Sequence, residues 1–143
     1  MSNEQTIAVL NHLVAIQNRS LPVYLQSAHP YAKRADDPRL AAIAAVAAAE
    51  NAVVERIGHK IIDLDGVVLH GEFPHRFADW HDLSIDFLLA KSIELQELDI
   101  QRIQRCVGWL DRAPRAKALA EETLGEAKAH LETLCEAQSA AVA

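Results

Sequence analysis

Four polar side chains stand near the middle of their predicted helices, three of them at the centre of an apolar stripe, and their types could support chemistry. They are Gln17, Glu50, Asp99 and His130. On a helical wheel of about 100° per residue, the residues within roughly 40° of Asp99 are Leu88, Ser92, Leu95, Ile103, Cys106 and Leu110. A carboxylate inside an apolar stripe is costly unless it is paired. The pattern therefore predicts one polar layer at mid-length of a helical bundle.

Three interpretations of this layer stay open. It can be a buried hydrogen-bond network with a histidine–carboxylate pair that fixes helix register. It can hold a single transition-metal ion, because Glu50, Asp99 and His130 offer oxygen and imidazole ligands that suit iron, manganese or zinc. In that case Gln17 and Glu126 are neighbours of the site. His130 lies roughly 60° from the centre of its apolar stripe and Glu126 roughly 100°, so His130 can turn inward more readily. It can also transfer protons in catalysis.

Two other groups of residues have metal-ligating side chains. His70, His75 and His81 fall within twelve residues, but their spacing matches no known metal motif, so surface or capping roles are favoured. Glu55 and His59 share the four-residue spacing of one helix face, and we expect a solvated surface pair.

The elements that must position these side chains are four amphipathic helices. We predict them near residues 4–28, 38–64, 81–112 and 115–138, with a kink at Pro22 and a crossover over residues 65–79. Asp37 is predicted to cap the second helix, with Pro38 at its first position. Short loops join the first pair and the last pair, so each pair is antiparallel, whereas the long crossover makes the second and third helices parallel. The crossover is expected to pack along the bundle.

Composition limits the class of protein. The chain has 143 residues, 50% of them hydrophobic and only 5% aromatic, which predicts one all-α domain. Its net charge of −6 opposes nucleic-acid binding. No apolar run is long enough to span a membrane, and no signal peptide is evident, so a cytoplasmic protein is expected. Cys106 and Cys135 are read as free core thiols. Trp80, Trp109 and the crossover aromatics suggest exposed apolar surface and hence a homodimer.

Three stretches resemble the ferritin-like superfamily, and more closely an uncharacterised group of bacterial ferritin-like proteins. They are LNHLVAIQNRSLPVYLQSAHPY at 10–31, GEFPHRFADWHDLSIDFLL at 71–89 and ALAEETLGEAKAHLETL at 118–134. The resemblance covers most of the chain. It implies an up-down-down-up four-helix bundle with a long crossover between helices 2 and 3, and the wider superfamily implies iron or manganese chemistry.

The chain departs from the superfamily's di-metal pattern of paired glutamates and Glu-x-x-His. Gln17 stands where a glutamate is expected, and Val53 occupies the histidine position after Glu50. The histidine that follows Glu126 comes at four residues, as His130, although both side chains still share a face. We therefore expect no cofactor or a single transition-metal ion in a structural or binding bundle. The substrate, the small-molecule ligand and any enzymatic activity are left open.

A phosphotransfer module is a further alternative, in which an exposed His130 accepts phosphate. The following Glu132 and Thr133 stand where such modules place Lys-Gly, which disfavours it.

Overall fold

The computed structural model describes residues 1–28, 30–80 and 82–142. The α-helices are α1 (Asn3–Asn18), α2 (Leu21–Tyr24), α3 (Pro38–Asp63), α4 (Ile85–Trp109) and α5 (Pro114–Val142), and a 3-10 helix covers His75–Asp79. No strand occurs within these described ranges, apart from an isolated bridge between Tyr31 and Ser84. The all-α prediction is confirmed.

The first helix is shorter than predicted. Ser2 starts α1 with a capping box, but α1 ends at Asn18 instead of continuing to residue 28. The backbone at Ser20 is extended (φ −69°, ψ 158°), and its hydroxyl accepts a hydrogen bond from the amide of Val23. Ser20 is thus the N-cap of α2, with Pro22 in the first turn. The break arises from this cap, two residues before the proline that was expected to produce the kink.

Helix α3 follows the prediction closely, with Asp37 as its N-cap and Pro38 as its first residue. It ends in a Schellman motif, because the amides of Asp65 and Gly66 donate to the carbonyls of Ile62 and Ile61, both at 2.9 Å. Asp65 takes the left-handed conformation there, with φ of 63°. A Cβ on Gly66 would lie 2.9 Å from side-chain atoms of Ile61, so glycine permits this tight turn.

The last two helices also differ from their predicted bounds. Helix α4 begins at Ile85, capped by the Ser84 hydroxyl, and ends at Trp109, whereas 81–112 was predicted. His81, the predicted first residue, lies outside the described residues. Helix α5 extends from Pro114 to Val142 and includes the tail beyond residue 138 that was predicted to lie outside the helix. Alanine fills much of that tail, and alanine has the highest helix propensity.

The long helices pack side by side. Helix α1 packs against α3 and α4, and α5 packs against the same two helices. The segment after α3 lies along α1: Asn11 donates to the carbonyl of Val67 (2.9 Å) and accepts from the amide of Leu69 (2.8 Å), and Asn18 donates to the carbonyl of His70 (3.1 Å). The crossover is therefore packed against the helices, as expected, and runs in the direction of α1.

Two apolar clusters form the core. One includes Leu10, Leu13, Ile57, Ile61, Ile103 and Leu110, and the other includes Leu21, Ile43, Leu88, Leu89 and Leu134. On each contributing segment, buried polar residues separate the positions of one cluster from those of the other. We call five of them the polar layer: Gln17, Ser20, Glu50, Ser92 and Gln96. The polar residues that the helical periodicity placed in mid-stripe are thus buried on α1 and α3.

Among the described helices, none combines the length and the apolar character that crossing a membrane requires.

Candidate functional site

The centre of the polar layer is a hydrogen bond between Ser20 and Glu50. The Ser20 hydroxyl donates to Oε1 of Glu50 at 2.9 Å, and Glu50 is only 1% exposed. Because Ser20 also caps α2, the break in the first helix brings a hydroxyl group to the carboxyl group of α3. This contact joins the end of α1, the start of α2 and the middle of α3.

Burial changes the acidity of Glu50. Removal from water is the main cause that raises the pKa of Glu50 to about 8. The hydrogen bond from Ser20 opposes this shift, and the negative charge of Asp99 adds to it. The carboxyl group is therefore largely protonated at neutral pH. A protonated carboxyl group can lie in a dry interior that would exclude the anion.

Asp99 lies near Glu50 but is less enclosed, with 14% of its side chain exposed. Its Oδ1 accepts a hydrogen bond from Nη1 of Arg102 at 2.9 Å. Burial raises the pKa of Asp99 to about 6, while the charges of Arg102 and Arg19 oppose that rise. Two neighbouring carboxyl groups thus differ in ionisation near neutral pH, with Glu50 protonated and Asp99 largely ionised.

Other members of the layer retain unsatisfied polar atoms. Gln96 donates from Nε2 to the carbonyl of Ala127 at 2.9 Å and so connects α4 with α5. Within the described part of the chain, Oε1 of Gln17 and Oγ of Ser92 are buried and have no hydrogen-bond partner. Such atoms cost about 1–3 kcal/mol each. The layer therefore retains polarity that an apolar core would avoid.

A groove of about 670 Å³ opens beside this layer, bounded by α1, the crossover and α4. Ser20 and Asp99 both line it. Its charged side chains are Arg19, Arg76, Arg102, Arg105, Glu72 and Asp99, and we call it the arginine groove. Four of the 14 lysines and arginines of this acidic chain are thus gathered in one depression.

His130 lies on a different surface from Asp99. It lines a second groove between α3 and α5, together with Glu55, Arg56, His59 and Glu126. Burial lowers the pKa of His130, and the charge of Glu126 opposes that shift. Glu126 itself is held by Arg56 at 2.6 Å, and Arg56 also binds Glu122 at 2.8 Å. The structure brings Glu50 to Asp99, and it brings His130 to Glu126.

The metal-ligating side chains are accordingly dispersed. Across residues 1–28, 30–80 and 82–142, no group of three or more histidine, cysteine, aspartate or glutamate side chains is arranged to hold a metal ion. His70 and His75 of the crossover are exposed, as are Glu55 and His59. Cys106 is buried and Cys135 is partly buried, and both are free thiols. The third crossover histidine, His81, lies outside the described residues.

Sequence reasoning missed Ser20 and the arginines of the groove. The order Ser-Leu-Pro at 20–22 was a local indication, because serine caps helices and proline favours their first turn. The arginines gave no such indication, since Arg19, Arg76 and Arg105 lie on separate elements. Only packing brings them together.

No protein-family model, curated protein or solved structure matches this chain.

Proposed function

We propose that the protein is a ferritin-like helical bundle that binds a small molecule in the arginine groove. The observation that carries the proposal is the groove itself, which reaches both Ser20 and Asp99 at the buried Glu50. Its volume of about 670 Å³ falls in the range of roughly 300–1,000 Å³ that is common for ligand pockets. Its lining combines apolar side chains such as Ile16 and Leu95 with polar and charged groups that can orient a ligand.

Contacts at both ends of the bundle support the ferritin-like connectivity. Arg39 in the first turn of α3 pairs with Asp86 in the first turn of α4. At the opposite end, the segment after α3 lies against Asn11 of α1, and Trp109 at the end of α4 lies 6.0 Å from the ring of His12. These contacts favour parallel α3 and α4 with a lengthwise crossover, the connectivity of ferritin-like folds.

The role proposed for the polar layer is to hold the floor of the groove. Ser20 is fixed by its cap to α2 and by its bond to Glu50, and Asp99 is fixed by Arg102. Groups that are already oriented lose little conformational entropy when a ligand arrives. The layer thus serves binding by preorganisation.

Filling the groove tests the proposal. Leu95 is partly buried on α4 and lines the groove, so Leu95→Trp should obstruct it. Leu98, on the same helix and 41% exposed, is not among the lining residues, so Leu98→Trp is the matched control. A metabolite collection is screened by thermal shift against all three proteins. We expect at least one compound to stabilise the wild type and the control but not Leu95→Trp. Equal stabilisation of all three proteins, or stabilisation of none of them, would refute the proposal.

A single iron, manganese or zinc ion is the alternative function. The two nearby carboxyl groups of Glu50 and Asp99 support it, because carboxylate oxygens bind such ions. Because His130 lines the second groove, we expect metal content to be unaffected by Asp99→Asn. Elemental analysis of protein purified without a histidine tag measures this. A stoichiometric metal that disappears in Asp99→Asn would establish the alternative instead.

We also propose a homodimer in the cytoplasm. The free thiols Cys106 and Cys135 suit a reducing compartment. The large apolar side chains of Ile62, Val67 and Leu69 are 59%, 73% and 61% exposed, within a stretch of eight residues. Exposed apolar residues that cluster in this way often mark an interface. Sedimentation equilibrium should give twice the chain mass, and a monomer mass at all concentrations would remove the dimer.

A further inference from the structure

The charges of the arginine groove are unbalanced. Four arginines line it against two carboxylates, Glu72 and Asp99. Asp99 is already bound to Arg102. Over the described residues, Arg19 and Arg105 form no salt bridge, so their guanidinium groups remain available.

Arg76 completes the cationic lining in another way. Its guanidinium lies 6.0 Å from the ring centroid of Phe77 and 5.6 Å from that of Trp80. Cation–π attraction to the two rings favours this position of the guanidinium and leaves its N–H groups free to donate. Guanidinium groups held in this way bind carboxylate and phosphate oxygens in pairs.

The arginines also act on His12, which lines the same groove. Burial lowers the pKa of His12, and the positive charges of Arg19 and Arg102 lower it further. At the floor, the proton on Glu50 removes a negative charge that would otherwise repel an anion. The local potential thus opposes the net charge of −6 of the whole chain.

One end of the groove is aromatic. Trp109 lines it with 55% of its surface exposed, and its ring is 6.0 Å from that of His12. An exposed tryptophan beside guanidinium groups offers a flat apolar surface for a planar ring.

We infer that the ligand of the arginine groove is a small organic anion, a carboxylate or a phosphate monoester attached to a planar ring. This inference rests on the proposed binding function. The anionic group lies between Arg19 and Arg105, and the ring packs on Trp109. Asp99 holds in place Arg102, which lines the same groove.

Calorimetric titration with three simple probes tests the inference. Phenyl phosphate and benzoate carry the anion and the ring, whereas benzamide has nearly the shape of benzoate without its charge. We expect both anions to bind more tightly than benzamide by at least about tenfold, because charged hydrogen bonds are stronger than neutral ones. Arg19→Gln and Arg105→Gln should each weaken the anions by roughly tenfold, and added salt should weaken them as well.

Arg115→Gln is the control, because Arg115 is exposed on α5 and does not line the groove. Its affinity for the anions should equal that of the wild type. If benzamide binds as tightly as benzoate, and Leu95→Trp abolishes both, the groove binds small molecules but the anion inference is overturned. If none of the probes binds the wild type, or if Arg115→Gln weakens binding as much as Arg19→Gln, the anion inference is likewise overturned. The proposed binding function would fail separately, through the metabolite screen.

Discussion

Replacement of Glu50 by glutamine should remove a pH dependence from the stability of the protein. Burial raises the pKa of Glu50 from 4.5 to about 8, so the folded state holds a proton that the unfolded state has released between those values. The free energy of unfolding then falls as pH rises through this window. The stabilisation is fully present below about pH 4.5 and is lost above about pH 8. Glutamine has the same shape and can still accept the hydrogen bond from Ser20, but it does not titrate.

The magnitude follows from the size of the shift. One pKa unit corresponds to about 1.4 kcal/mol, so a shift from 4.5 to about 8 is worth on the order of 4–5 kcal/mol across the window. Asp99, whose pKa is raised to about 6, adds a loss of the same sign at lower pH. Burial lowers the pKa of His12 and of His130 from 6.5, which adds a gain of stability as pH rises through about 6.5. The range between about pH 7 and 8 therefore reports chiefly on Glu50. Since domains of this size are stable by about 5–15 kcal/mol, the effect should be measurable.

Urea unfolding followed by circular dichroism at several pH values is the assay. Between about pH 7 and 8, the wild type should lose up to about 1.4 kcal/mol per pH unit, and Glu50→Gln should lose much less. Above about pH 8, Glu50→Gln should be more stable than the wild type. Glu55→Gln, at an exposed position on the same helix, is the matched control and should keep the wild-type slope. A slope that persists in Glu50→Gln would refute the reasoning.

Two further substitutions test how the layer and the core contribute to stability. Ser20→Ala removes the cap of α2 and the hydrogen-bond donor to Glu50. In urea unfolding it should lower the free energy of unfolding by about 2 kcal/mol. Ser27→Ala, at an exposed turn, should change it by less than about 0.5 kcal/mol. Equal effects of the two serine variants would contradict the bridging role of Ser20. Leu134→Ala should lower the free energy of unfolding by about 2–5 kcal/mol, because Leu134 is fully buried. Leu98→Ala, at a site that is 41% exposed, should change it by less than about 0.5 kcal/mol. A nearly neutral Leu134→Ala would contradict the described core.

Local sequence determined most of the secondary structure. Asp37 and Pro38 set the start of α3 through capping and a fixed φ, both of which act within one turn. Helical periodicity also placed Gln17 and Glu50 in buried stripes, because a repeat of 3.6 residues keeps one face of a helix inward. The break between α1 and α2 at Ser20 was not predicted, because the apolar periodicity continues across it. The capping of α2 by Ser20 that produces the break is also a local effect.

Tertiary structure alone decided the candidate site. A helical wheel gives the direction of a side chain but not how far a neighbouring helix covers it. Asp99 and His130 were therefore predicted to share one interior layer, whereas in the structure they line separate grooves. The arginine groove joins Arg19, Arg76 and Arg105, which are distant in sequence. Arg19 follows the last residue of α1, Arg76 lies in the crossover and Arg105 lies on α4. The sequence by itself determined the helices and their apolar faces, since those depend on neighbouring residues. Which charged residues meet depends on how the helices and the crossover pack, and no local pattern encodes that arrangement.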